Sequence, residues 1–129
     1  MSRKPDPTRP RRRGLTSEAD AESFLVRQGY LPVARNHVCR GGELDLVMQD
    51  GDTLVFVEVK RRRPGAPVDA LESITLTKRR RVVRAATDWA MRAGALDRPL
   101  RFDVVAVTPG REGPTFLHVP DAFDASGMD

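Results

Sequence analysis

The 129-residue chain reads as one α/β domain: a helix, three strands, a second helix and a fourth strand, with the helices flanking a mixed sheet. Three observations predict this. Two alternating apolar runs meet at Asp50-Gly51, the pattern of a β-hairpin. Apolar residues spaced i, i+3 and i+4 lie on both sides of that hairpin, in segments that each stop at a glycine. The buried-type run from Arg101 to Thr108 follows the second helix, so a right-handed crossover should lay it parallel to the hairpin's second strand.

Composition narrows the setting. The chain is 40% hydrophobic and 31% charged, ordinary for a soluble domain long enough to bury a core without staples. Its single cysteine, Cys39, allows no intramolecular disulfide and fits a reducing cytoplasm. No run approaches the roughly 18 apolar residues of a membrane span, and the N-terminus lacks the apolar stretch of a signal peptide. Residues 1–13 carry six cations against Asp6, a net of +5, so the +4 of the whole chain leaves the remainder near neutral. Positive charge in that remainder gathers at Lys60–Arg63 and Lys78–Arg84. Cations clustered beside carboxylates suit a polyanion whose phosphates also meet a metal, which favours nucleic acid over membrane. With aromatics at 5%, a base-stacking platform for single strands is disfavoured.

Taken in order, residues 1–13 read as a disordered basic arm, 14–123 as the folded domain and 124–129 as a loose tail. The first helix should open near Ser17, where Ser17-x-x-Asp20 resembles a capping box, and close at Gly29. Ala21, Phe24 and Leu25 form its inward face, and Glu18 in the first turn has the ordinary duty of answering the helix dipole. A strand should begin just after Pro32 and run to Cys39. His37 and Cys39 share one of its faces but have no partners at zinc-site spacing. Gly41-Gly42 turns the chain into the hairpin, and Pro64–Pro67 breaks it afterwards. A connector with a short turn at Asp69–Ser73 leads to the second helix. Thr77 is its expected N-cap, Gly94 its stop, and Val82, Val83, Ala86, Trp89, Ala90 and Ala93 its apolar stripe. After the fourth strand, Phe116–Val119 should form a short edge strand, and the chain from Pro120 should be loose with Phe123 tucked against the body.

The hairpin carries the chemistry. With Asp50 and Gly51 as the central turn residues, Glu43 faces Glu58, Asp45 faces Phe56 and Val47 faces Leu54. Alternation then sends Glu43, Asp45, Glu58 and Lys60 to one side of the sheet. Three carboxylates against one lysine conflict, and a cation would relieve them. On a wet sheet face Glu-x-Lys would be plain solvated surface. The apolar run Leu54–Val57 before Glu58 instead marks a strand covered on both faces, where charge at the end serves a site.

An Asp followed on the next strand by Glu-x-Lys, here Asp45 and Glu58-Val59-Lys60, resembles the signature of the restriction-endonuclease-like nucleases. Closer is the likeness to the YraN family of uncharacterised bacterial endonuclease-like proteins. It is carried by Gly14, Glu18, Ala21, Leu25, Gly29, Asn36, Gly42–Leu46, Val55–Lys60, Arg62, Lys78, Ala86, Arg101–Val105 and Asp121–Phe123. Leu44 departs from the wider signature, which has proline before the Asp. The resemblance implies a restriction-endonuclease-like core and a DNA-directed, Mg²⁺- or Mn²⁺-dependent nuclease, with branched DNA in recombination or repair as substrate. It implies Asp45, Glu58 and Lys60 as catalytic residues, with Glu43 and Glu18 in support. Magnesium asks for only one or two carboxylates, which Asp45 and Glu58 supply, with the Val59 carbonyl as third ligand. Arg61, Arg62, Lys78, Arg79, Arg80 and Arg84 are the expected nucleic-acid contacts, and a homodimer would let two sites act together. A non-catalytic DNA-binding or interaction module on the same fold is the alternative. The intact Asp45, Glu58 and Lys60 favour the nuclease.

Overall fold

The computed structural model describes residues 11–66 and 74–125, with α1 side chains described from Ser17 onward. The elements are α1 (Arg11–Arg27), β1 (Leu31–Cys39), β2 (Gly42–Asp50), β3 (Thr53–Arg61), α2 (Leu76–Arg92), β4 (Leu100–Thr108) and β5 (Thr115–Phe123). The strands lie in the order β1-β2-β3-β4-β5, antiparallel except for the parallel pair β3–β4. The predicted α/β class and the crossover through α2 are both present, consistent with a restriction-endonuclease-like core. Among the described residues, no helix is long and apolar enough to cross a membrane.

The two faces of the sheet bury separate cores. On one, Ala21 and Leu25 of α1 meet Leu46, Met48, Val55, Val57, Val105 and Val107. On the other, Val82, Ala85, Ala86 and Ala90 of α2 meet Leu44, Val47, Leu54, Phe56 and Phe102. Strand β3 is covered on both sides, as its apolar run predicts. The two-residue turns keep β1, β2 and β3 together, and Gly42 lets α2 lie close upon them. A Cβ at Gly42 would stand 2.5 Å from the Arg81 carbonyl oxygen, inside any permissible contact.

Several expectations need correction. Helix α1 begins at Arg11, not near Ser17, so Arg11–Arg13 are helical and Ser17 is a buried mid-helix residue. Residues 1–10 of the expected arm, the turn at Asp69–Ser73 and residues 126–129 of the tail lie outside the described residues. The N-cap of α2 is Thr75, whose hydroxyl accepts from the Lys78 N–H at 3.1 Å, and Thr77 sits in the first turn. Ala93 is exposed, and Ala85 takes its place in the buried stripe. Pro32 lies inside β1 beside an irregularity at Val33, which an edge strand tolerates. Strand β5 runs on through Pro120 to Phe123, whose ring stacks on Phe102 at 5.1 Å.

The hairpin turn is shifted by one residue. Asp50 pairs with Thr53 and Leu46 with Val57, so Gly51 and Asp52 form the loop, with Gly51 at φ +60°. Positive φ at the first central residue is the glycine-first form of a hairpin turn. Asp50 stays in the strand, where its carboxylate accepts from Arg101 at 3.1 Å. The new register moves each partner by two positions, so from Leu46 to Asp50 it changes pairs without changing faces.

Candidate functional site

In this register Asp45, rather than Glu43, comes level with Glu58. The β2–β3 ladder stops just short of them, at Leu46–Val57. Beyond that point the Val59 N–H donates to Asp45 Oδ2 at 2.8 Å. A side-chain oxygen thus takes the place of a main-chain acceptor, and β2 parts from β3 where the charged residues sit.

Strand alternation also breaks here. Leu44 and Val47, three residues apart, both pack on the α2 side, whereas Leu46 and Met48 pack on the α1 side. Strand β1 makes the same change, with Ala34 and Cys39 both on the α2 core while Arg35 between them pairs with Glu22 of α1. The residue at the break in β1 is Asn36, at φ +51°. Asparagine tolerates this region because its short amide bonds locally.

Four acidic residues meet around this break, from three elements. Glu58 of β3 is 5% exposed, and its Oε2 has no hydrogen-bond partner. Burial and then the Asp45 charge push the Glu58 carboxyl up to about 8. Glu18 of α1 is raised to about 7 by burial and by Asp45, against the pull of a hydrogen bond with Asn36. Burial also raises Asp45, opposed by the Val59 N–H and by Lys78. Glu43 moves the other way, lowered by its bond to Lys78. When ionised, carboxylates only accept, so Asp45, Glu58 and Glu18 offer each other nothing unless one holds a proton.

Of the five residues predicted to carry or support the chemistry, the four carboxylates are gathered and Lys60 stands apart. Glu43, Asp45, Glu58 and Glu18 converge. Lys60 is half-buried but makes no hydrogen bond or ion pair among the described residues. The cation that meets the carboxylates is Lys78, 3.0 Å from Glu43 Oε1 and 3.4 Å from Glu58 Oε1. Burial alone would lower its ammonium, but Glu43, Glu58 and Asp45 outweigh that and raise it. Asn36 is the other residue whose role sequence reasoning missed; an asparagine inside a strand pattern was the available signal.

The remaining basic residues divide. Arg61, Arg80 and Arg84 are exposed. Arg79 lies over the Phe123 ring at 5.7 Å, and its Nε donates to the Ile74 carbonyl, so it serves the fold. Arg62 is half-buried, and its N–H donates to the Val107 carbonyl at 2.8 Å. Among the described residues, no three acidic, histidine or cysteine side chains are grouped so as to hold a metal ion by themselves. The donor set still fits a magnesium-like ion, which keeps several waters and needs one or two carboxylates. The buried, unpartnered Glu58 Oε2 beside Asp45 is the atom that most needs such a partner.

The profile of the Uncharacterised protein family UPF0102 matches residues 17–107, which include Glu18, Asn36, Asp45, Glu58 and Lys78. The chain belongs to this family. It is the family, also called YraN, that the motif positions resemble. Curated UPF0102 proteins match over most of their length. That of Anaeromyxobacter dehalogenans is 49% identical over 114 residues, covering 88% of this chain and 85% of the relative. That of Cupriavidus metallidurans is 46% identical, covering 92% and 85%. That of Geobacter metallireducens is 40% identical, covering 86% and 91%. The UPF0102 match ends at β4, so β5 and the Phe123 contact lie beyond it.

Proposed function

We propose that this UPF0102 chain is a divalent-metal-dependent nuclease that hydrolyses DNA phosphodiester bonds. The observation that carries the reading is Glu58, buried at a covered strand's end, with an unpartnered oxygen beside the Asp45 carboxylate. A carboxylate so buried and so incompletely satisfied keeps its proton unless a cation takes the proton's place. Asp45 and Glu58, with the Val59 carbonyl, would hold Mg²⁺ or Mn²⁺, which when bound polarises a phosphate and makes water acidic. Asp45 is fixed for this by the Val59 N–H, and Glu18 is placed to hold or release a proton beside it. Lys60, free of acidic partners among the described residues, is available to a phosphate oxygen.

DNA is the proposed substrate because exposed arginines lie on the helix that borders the site. Branched DNA is preferred on the family likeness, and symmetric cutting of a four-way junction would call for a two-fold dimer. The test incubates pure protein with Mg²⁺ or Mn²⁺ and linear, flapped and four-way-junction DNAs. Asp45→Asn and Glu58→Gln should abolish cutting while leaving DNA binding intact or tighter, since a negative charge near phosphate is lost. If nothing is cut and no metal binds at millimolar concentration, the chain is a binding module on a nuclease fold.

A further inference from the structure

Helix α2 brings to the carboxylates a cation that the strand motif does not contain. Lys78 Nζ bridges Glu43 and Glu58, at 3.0 and 3.4 Å, and so ties β2, β3 and α2 together at one point. Its backbone is held as well, since the Thr75 cap accepts from its N–H. The position is a poor one for the helix itself. A cation in the first turn opposes the macrodipole, and this first turn contains no acidic residue. A locally unfavourable charge in a fixed place suggests a role outside the helix. The residue type points the same way. Only three of the chain's 22 cations are lysine, namely Lys4, Lys60 and Lys78. An ammonium is a compact point charge with freely turned donors, closer to a metal ion than a planar guanidinium is.

Building on the metal-site reading above, we propose that Lys78 is a tethered counter-cation of this site. In the metal-free chain it pairs with Glu43 and sits against Glu58, and it gives up its place beside Glu58 when a divalent ion binds. The two cations are then competitors for the same carboxylate, so each weakens the other by a reciprocal factor. Glu43, exposed at the rim, retains Lys78 when Glu58 is taken, which keeps the displaced ammonium beside the site.

Titration with Mn²⁺, followed by the paramagnetic resonance of the free ion, tests this without any cleavage assay. Lys78→Met should bind Mn²⁺ about fivefold tighter or more. It should also melt lower than wild type in chelator, and the gap should narrow in saturating Mn²⁺. Lys60→Met, whose ammonium touches neither carboxylate, should change affinity less. Equal or weaker Mn²⁺ binding by Lys78→Met overturns the proposal, as does a melting gap that Mn²⁺ leaves unchanged. If that variant does not fold, wild-type protein labelled at lysine Nζ decides, because added Mg²⁺ should move the Lys78 signal more than the other two. Wild type that binds no metal overturns the metal reading and this proposal together. Wild type that binds metal with an unmoved Lys78 signal overturns this proposal alone.

Discussion

Asn36 lies across from Asp45, between the paired residues Arg35–Leu46 and His37–Leu44. Its backbone is left-handed, and its side chain bonds Glu18, which in turn meets Asp45. One asparagine therefore both turns β1 over at the break in alternation and fixes the helix carboxyl above the strand carboxyl. Asn36→Ala should cost about 1–2 kcal/mol, because an L residue with a plain Cβ resists this φ and the bond to Glu18 is lost. Asn36→Gly should recover the backbone part and not the bond. Urea denaturation of the two variants separates the contributions, and equal losses would mean that φ +51° carries no strain for alanine.

The pH dependence of stability follows from the same cluster. Glu18 and Glu58 have ordinary carboxyl behaviour when unfolded, near 4.5, but keep protons to about 7 and about 8 when folded. Across that window the folded chain binds more protons, so stability falls as pH rises. Glu43 and Asp103 are lowered by folding, so their contribution is present above the ordinary carboxyl range and disappears as pH falls through it. Metal-free protein should melt highest near pH 5 and lose roughly 5 °C by pH 8. Glu58→Gln should flatten that upper limb, and saturating Mg²⁺ should flatten it in the wild type. A rising limb between pH 5 and 8 would sink the assignment of buried, proton-holding carboxyls.

What was legible in the sequence is what period and local chemistry decide. Alternation around a glycine turn marks the hairpin and draws Asp45 and Glu58 to one place, with the turn one residue early. Asp50 belongs to the strand because Arg101, distant in sequence, takes its carboxylate, and no local rule reports that bond. Because the register moves by two, faces hold from Leu46 to Asp50, whereas the break in alternation at Asp45 lies beyond any period-2 rule. Sequence pattern groups Lys78 with the basic run, because its partners lie on two strands that only the packing of α2 brings near. Ser17-x-x-Asp20 mimics a cap in sequence, while Ser17 is in fact buried within the helix.

Asp103 anchors a second charged group, apart from the carboxylate cluster. It is fully buried and accepts from Arg101 at 2.8 and 3.0 Å, pairs with His118 at 2.8 Å and accepts from the Asp121 N–H at 3.0 Å. Arg101 extends the network to Tyr30 and Asp50, joining β4 to the α1–β1 junction and to the hairpin. Asp103→Ala would take a buried acceptor from half-buried Arg101 and from His118 and should cost about 2–3 kcal/mol. Asp103→Asn, which keeps some acceptor capacity, should cost less. Thermal melts at neutral pH check the order, and a near-neutral Asp103→Ala would show that water replaces the carboxylate freely.

Arginines that serve the fold should differ in salt dependence from those free to meet a phosphate. Arg79 is occupied by the Phe123 ring and the Ile74 carbonyl. Arg80 and Arg84 are exposed and have no acidic partner among the described residues. Arg84 also lies against the β1–β2 turn, where a Cβ on Gly41 would stand 2.8 Å from its Nη1. A phosphate contact releases counterions, and losing one lowers the salt slope of log K by about 0.9. Binding of a duplex, measured by anisotropy across a series of KCl concentrations, should show that loss for Arg80→Ala and for Arg84→Ala. Arg79→Ala should keep the wild-type slope and instead lose roughly 0.5–1 kcal/mol of stability with its ring contact. The opposite pattern, a flattened slope for Arg79→Ala with Arg84→Ala unchanged, would put the DNA on the β5 side of α2.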